Sequence, residues 1–144
     1  MADAQVKLIE IYSGLYQRGA TWKLPAEQKR VALAAAGVHT ILNLTSHIDD
    51  DLVNWHAALY RQWPFADNQV PLGIDELIDW AEQRWRLYGP MLVHCNGGRN
   101  RASLVTALML ARIGFNPSAA IERVRERRPN ALANPAFEKY ILSR

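Results

Sequence analysis

Cysteine is nearly absent: Cys95 is the only one in 144 residues, so no disulfide can form within the chain. This agrees with a reducing compartment, and it leaves no second cysteine to shield an oxidised thiol as an internal disulfide. No apolar run approaches the roughly 20 residues of a membrane helix. Met1 to Glu10 has neither the charged head nor the apolar body of a signal peptide. Both absences predict a cytoplasmic protein without a membrane span. There is no repeat or low-complexity tract, and no strong charge excess: the net charge is +3 and the pI about 9.2, a mild basic bias that favours acidic or phosphorylated partners. The densest basic run, Arg123, Arg125, Arg127 and Arg128, is interleaved with Glu122 and Glu126. That pattern predicts a solvated helix face rather than a nucleic-acid surface. Hydrophobic residues make up 49%, ample for one core, and residues 1–144 are expected to form a single domain.

Within this composition one stretch carries chemistry: His94-Cys95-Asn96-Gly97-Gly98-Arg99-Asn100-Arg101. Before it, Met91-Leu92-Val93 reads as a buried strand. After it, Leu104, Val105, Leu108, Met109 and Ile113 recur at helical spacing, with Gly114 as the stop. A loop between a strand and a helix N-terminus presents unpaired backbone N–H groups to the positive end of the helix dipole, which is a site for a phosphate dianion. Gly97 and Gly98 are expected to allow close backbone approach and positive φ. Arg101 can bind two phosphate oxygens side by side, which lysine cannot do. Cys95 lies at the base of this loop, where dipole, amides and guanidinium all favour thiolate over thiol, and a thiolate can accept a phosphoryl group covalently. The same donors follow charge onto the equatorial oxygens in the transition state. Arg99 is expected to point outward as a positive rim that attracts multiply charged substrates. His94 is expected to orient the loop, with Asn96 and Asn100 bracing it.

Expelling an alkoxide or phenolate from phosphorus requires a general acid from a second loop. Asp67, in Trp63-Pro64-Phe65-Ala66-Asp67-Asn68, fits this role, following a strand-like segment and preceding a helix. Asp75, Glu76 and Asp79 compete with it, but they fall in the opening turns of the next helix, where acidic residues complement the dipole. Asp49-Asp50-Asp51 is expected to be a solvated loop and helix start. Trp55, Trp63, Trp80 and Trp85 are expected to pack in or around the core; Trp22 receives no assignment.

The pattern predicts strands over 8–11, 15–17, 40–44, 59–63 and 91–94. Helices are predicted over 25–36, 74–88, 101–113, 117–127 and 135–142. Asn116-Pro117 and Asn134-Pro135 read as N-caps followed by first-turn prolines. Strands alternating with helices predict an α/β fold with a central, mostly parallel sheet of about five strands flanked by helices, and a ligand site at the carboxyl end of a strand.

The loop satisfies H-C-x-x-G-x-x-R, and with its strand and helix flanks it resembles the cysteine-dependent protein tyrosine phosphatase superfamily, in its small dual-specificity branch. Ile11-Tyr12-Ser13-Gly14-Leu15-Tyr16 is similar to the opening strand pair of those enzymes, and Gly37 to Thr45 to their helix-to-strand segment. Trp63 to Asp67 resembles the general-acid loop. Ala119 to Arg128, with Asn134-Pro135-Ala136-Phe137, resembles the tail of small bacterial and viral members. The resemblance implies a phosphomonoesterase that needs no metal or cofactor. Cys95 would be nucleophile, Arg101 phosphate binder and Asp67 general acid and then base, with phosphorylated proteins as substrates. The short chain lacks room for pocket-deepening insertions, which implies activity on phosphotyrosine and phosphoserine/threonine alike. Where the family carries Ser or Thr after the loop arginine, to stabilise the departing thiolate, this chain has Ala102, with Ser103 one place later. Slow breakdown of a phosphocysteine intermediate is the expectation. Ala102 also leaves room for a phosphate-binding pseudophosphatase. Gly98-x-Asn100-Arg101 resembles the loop of RNA 5′-triphosphatases, a phosphoinositide phosphatase would use the same scaffold, and a rhodanese-type sulfurtransferase also places cysteine between strand and helix.

Overall fold

The computed structural model describes residues 6–97 and 99–144. In chain order its elements are β1 (Ile9–Tyr12), β2 (Leu15–Arg18), α1 (Ala26–Ala35), β3 (Thr40–Asn43), α2 (Asp50–Val53), β4 (Leu59–Gln62), α3 (Ile74–Tyr88), β5 (Met91–His94), α4 (Arg101–Arg112), α5 (Pro117–Arg127) and α6 (Pro135–Leu142). The strands form one five-stranded sheet in the order β1-β2-β5-β3-β4, parallel throughout except for the β1–β2 hairpin. The α/β class and the mostly parallel sheet expected from the sequence are both present.

β5 is central: Met91–His94 pairs with Leu15–Arg18 on one side and Thr40–Asn43 on the other, and all four of its residues are buried. A strand covered on both faces reads as an unbroken apolar run, which is what Met91-Leu92-Val93 supplies. Because successive strand side chains point to opposite faces, Met91 and Val93 join one core with α3 to α6, while Leu92 joins Leu33, Val38, Ile41 and Leu52 in a second core on the other face. α4 is buried continuously from Ala102 to Leu110, which makes it the central helix of its layer. Gly37, at φ 72°, ends the α1 turn in the left-handed region that glycine tolerates. The asparagine caps form as expected, with the Asn116 side chain accepting from the Ser118 amide and that of Asn134 from the Ala136 amide. Trp63, Trp80 and Trp85 pack partly buried against the larger core, and Trp55 against the smaller.

Two expectations are corrected. Asp49 is not solvated: it is 1% exposed, caps α2 through the Asp51 amide, and accepts from Lys29 Nζ at 2.9 Å. Lys29, equally buried, reaches Asp51 as well. The buried ammonium and the buried carboxylate face each other as a pair. The basic run on α5 is also not a uniformly solvated face. Arg125 donates to the Ala131 and Leu132 carbonyls and pairs with Glu138 at 3.0 Å, while Arg123 lies over the Tyr12 ring at 5.3 Å.

Candidate active site

The chain leaves the sheet at the carboxyl end of β5 and re-enters regular structure at Arg101, so residues 95–97 and 99–100 lie in a loop between the central strand and the central helix. Its carbonyls are held from outside. The Ala20 amide donates to Asn96 O at 2.8 Å, Arg128 Nη2 to Gly97 O at 3.2 Å, and the Leu132 amide to Arg99 O at 2.9 Å. In a trans peptide C=O and N–H point in opposite directions. Tying these oxygens outward therefore turns the N–H groups of Gly97 and Asn100 to the inside of the loop. Asn100 sits at the N-cap position just before α4 and is braced in turn, its Oδ1 accepting from the Asn134 amide at 3.0 Å.

Gly97 differs from expectation: its φ is not positive, and a Cβ there would meet nothing within 4 Å. Glycine at 97 keeps space open above the loop rather than supplying a special backbone angle. Gly98 lies outside the described residues. The close approach occurs at Gly19 instead, where a Cβ would sit 2.7 Å from Asn96 O.

Cys95 lies at the base of the loop and is 2% exposed. His94 is fully buried, its Nδ1 3.5 Å from the Cys95 carbonyl and its Nε2 without a hydrogen-bond partner among the described residues. Burial pushes the imidazole down to about 4, so it is neutral at physiological pH. Trp22, unassigned from sequence, stacks on His47 at 4.1 Å and lies 6.4 Å from the His94 ring, covering this side of the loop. The neighbouring Thr21 hydrogen-bonds the buried Asp49 carboxylate, so the Lys29–Asp49 pair also fixes the segment that holds Asn96.

Arg101 is the meeting point of the two loops. Its Nη1 donates to the Phe65 carbonyl at 3.0 Å, and its Nε, buried and without a hydrogen-bond partner among the described residues, lies 3.7 Å from Asp67 Oδ1. Asp67 is 54% exposed. Its loop is anchored by Asn134 Nδ2, which donates to Asp67 O at 3.0 Å, and approached by Asn100 Nδ2, 3.4 Å from Oδ2. Two of the three competing acids are engaged elsewhere, Asp79 with Arg112 and Asp75 with Arg144. Ser103 is buried, and its hydroxyl donates to Gln17 Oε1 at 3.4 Å; Gln17 Nε2 in turn donates to Thr106 Oγ1. Arg99 is exposed at the rim. Arg128, Asn134 and Gly19 were missed from sequence, because each reaches the loop from a distant segment.

Residues 20–140 match the family described as PTP-SAK, a Swiss Army Knife protein DSP-PTPase phosphatase domain. Among curated proteins, the chain is 31% identical over 72 residues to dual specificity protein phosphatase 1 of Arabidopsis thaliana, covering 49% of this chain and 36% of that one. It is 33% identical over 73 residues to dual specificity protein phosphatase 1B of the same plant, covering 50% and 44%. The chain thus spans less than half the length of these relatives. The fold is similar to the crystal structure of human DUSP28, with TM-score 0.75, 22% identity, and coverage of 94% of this chain and 90% of that one. It is also similar to Tk-PTP in its active form, with TM-score 0.74, 21% identity, and coverage of 95% and 97%. Among the described residues, no helix is long and apolar enough to cross a membrane.

Proposed function

We propose, for a chain that belongs to the Swiss Army Knife DSP-PTPase phosphatase domain family of the cysteine-dependent tyrosine phosphatase superfamily, that it hydrolyses phosphomonoesters on phosphorylated proteins through a phosphocysteine intermediate. Residues 1–144 act as one catalytic domain of the small bacterial and viral kind. The Cys95 thiolate attacks phosphorus, forming the S–P bond as the P–O ester bond breaks, and the Asp67 carboxyl gives its proton to the leaving oxygen. Asp67, now a carboxylate, takes a proton from water; the water oxygen bonds to phosphorus, the S–P bond breaks, and orthophosphate leaves. Arg101 and the inward amides carry the charge on the equatorial oxygens through both steps.

The observation that carries this reading is the position of Arg101, which begins the helix after the cysteine loop while gripping the Phe65 carbonyl two residues before Asp67. One guanidinium thereby sets the distance between nucleophile and acid, and its unpartnered Nε is a donor that a phosphate oxygen satisfies. The test is the leaving group. Asp67→Asn is expected to lower kcat about 10²–10⁴-fold on a phenyl phosphate, whose phenolate needs a proton, and far less on p-nitrophenyl phosphate. Equal losses on both substrates would remove Asp67 from the role.

Ala102 bears on the second step. We assign slow intermediate breakdown to the missing hydroxyl, with the Ser103 hydroxyl engaged by Gln17 rather than replacing it. A hydrogen bond to a charged sulfur is worth about 1.5 kcal/mol or more, so Ala102→Ser is expected to raise steady-state turnover about tenfold and shrink the pre-steady-state burst. Rapid-quench measurement of an unchanged burst and turnover rejects this.

A further inference from the structure

A groove of about 460 Å³ opens beside the catalytic loop, lined by Lys7, Arg18, Gly19, Arg127, Arg128 and Pro129. Of its cations the proposed reaction uses only Arg128, which holds the Gly97 carbonyl. The groove abuts the loop directly, since Gly19 packs on Asn96 O and Arg128 donates to Gly97 O. Two of its guanidiniums are fixed by carbonyls rather than neutralised: Arg128 by Gly97 O, and Arg18 by Ala20 O at 3.3 Å and Lys7 O at 3.0 Å. Among the described residues, none of Lys7, Arg18, Arg99, Arg127 and Arg128 has a carboxylate within 4.0 Å, whereas Arg112, Arg125 and Arg144 elsewhere are each paired. Burial, and then Arg128, push the Arg18 guanidinium below its ordinary value. Arg128 is pushed down by burial and by Arg99, against the pull of Cys95. Like charges crowded and partly buried at one rim raise the free energy of the unliganded protein and are relieved when anions arrive.

We infer that this groove is a second anion subsite, which holds further phosphate groups of the same substrate while Cys95 acts on one of them. The inference rests on the phosphocysteine chemistry proposed above and departs from that reading in the substrate, a small polyphosphate in place of a phosphoprotein. The groove's four cations, Lys7, Arg18, Arg127 and Arg128, exceed the charge of a single additional phosphate, since a phosphomonoester carries about −1.5 to −2 at neutral pH. The matching ligand is a small polyphosphorylated molecule, a chain or ring bearing at least three phosphates.

The test is calorimetric binding to the full-length Cys95→Ser protein, which needs no turnover. Inorganic tripolyphosphate represents the chain, inositol hexakisphosphate the ring, and orthophosphate the single group. At least one polyphosphate is expected to bind about tenfold or more tighter than orthophosphate. Lys7→Gln/Arg127→Gln, which touches neither Cys95 nor Arg101, is expected to remove that advantage and leave orthophosphate binding unchanged. Arg86→Gln/Lys139→Gln lowers the net charge equally on other surfaces and is expected to change neither. The subsite is overturned if neither polyphosphate exceeds orthophosphate, if both double variants lose affinity alike, or if a doubly phosphorylated peptide alone binds tightly. Failure of the wild-type protein to turn over any phosphomonoester overturns the phosphatase reading without touching this binding result.

Discussion

Cys95→Ser is expected to lower kcat on p-nitrophenyl phosphate by roughly 10⁴-fold or more, above ~5 kcal/mol of barrier, while leaving orthophosphate affinity within about threefold of wild type. The two parts have separate physical origins. Affinity resides in the inward amides, fixed because Ala20, Arg128 and Leu132 hold the loop carbonyls from outside, and in Arg101; none of these is altered. Turnover resides in the nucleophile. A thiol ionises near neutral pH, but a serine hydroxyl does not, and it attacks only when a base removes its proton. The nearest imidazole, His94, is buried against the Cys95 carbonyl and pushed down to about 4, which makes it a weak base. A serine at 95 therefore lacks what serine hydrolases use. The check is rapid-quench trapping with labelled substrate, in which wild type accumulates phosphoenzyme and the variant accumulates none. Persistent hydrolysis by the variant places the nucleophile elsewhere.

What the sequence made legible was local. β5, the loop and α4 follow from an apolar run, glycines and a helical period within some twenty consecutive residues, and the caps at Asn116 and Asn134 need only contacts two residues apart. The parallel sheet follows because strands separated by helices have few ways to pair. Asp67 could be nominated because a phosphoryl-transfer loop needs an acid and the rival acids fall in the opening turns of a helix. The contacts that hold the site in shape were not legible. Asp49 reads as one of three consecutive aspartates in a polar stretch, and only the fold brings Lys29, twenty positions away, against it. Arg128 sits in a basic run that looks solvated until the chain returns past Gly97, thirty-one positions back. Asn134 caps a helix as its local sequence announces, yet the same side chain also holds Asp67 O, and its amide holds Asn100. Periodicity carries no information about such pairings, because each depends on how separate segments pack. Gly97 shows the converse: it lies in the loop where the sequence puts it, yet its φ is not positive and a Cβ there would meet nothing within 4 Å.

The arginine allows the sharpest separation of these roles. Arg101→Lys preserves the charge and is nonetheless expected to lower kcat/KM about 10²–10³-fold, or ~3–4 kcal/mol. A guanidinium is a planar fork with five donors, so Arg101 can hold the Phe65 carbonyl with Nη1 while other N–H groups remain for phosphate. An ammonium on a shorter reach is a point charge and must choose. If it follows the phosphate, the Phe65 carbonyl loses its donor, and Asp67 loses the guanidinium that sits 3.7 Å from its carboxylate. If it follows Phe65, the transition state loses its two-oxygen grip. The choice is readable in the leaving-group series used for Asp67→Asn. A lysine that abandons the acid loop makes kcat steeply dependent on leaving-group acidity, whereas one that abandons phosphate lowers every substrate alike and weakens orthophosphate binding. A lysine variant with near wild-type kcat/KM on both good and poor leaving groups would mean that charge alone suffices, and that the bridge from helix to acid loop has no part in catalysis.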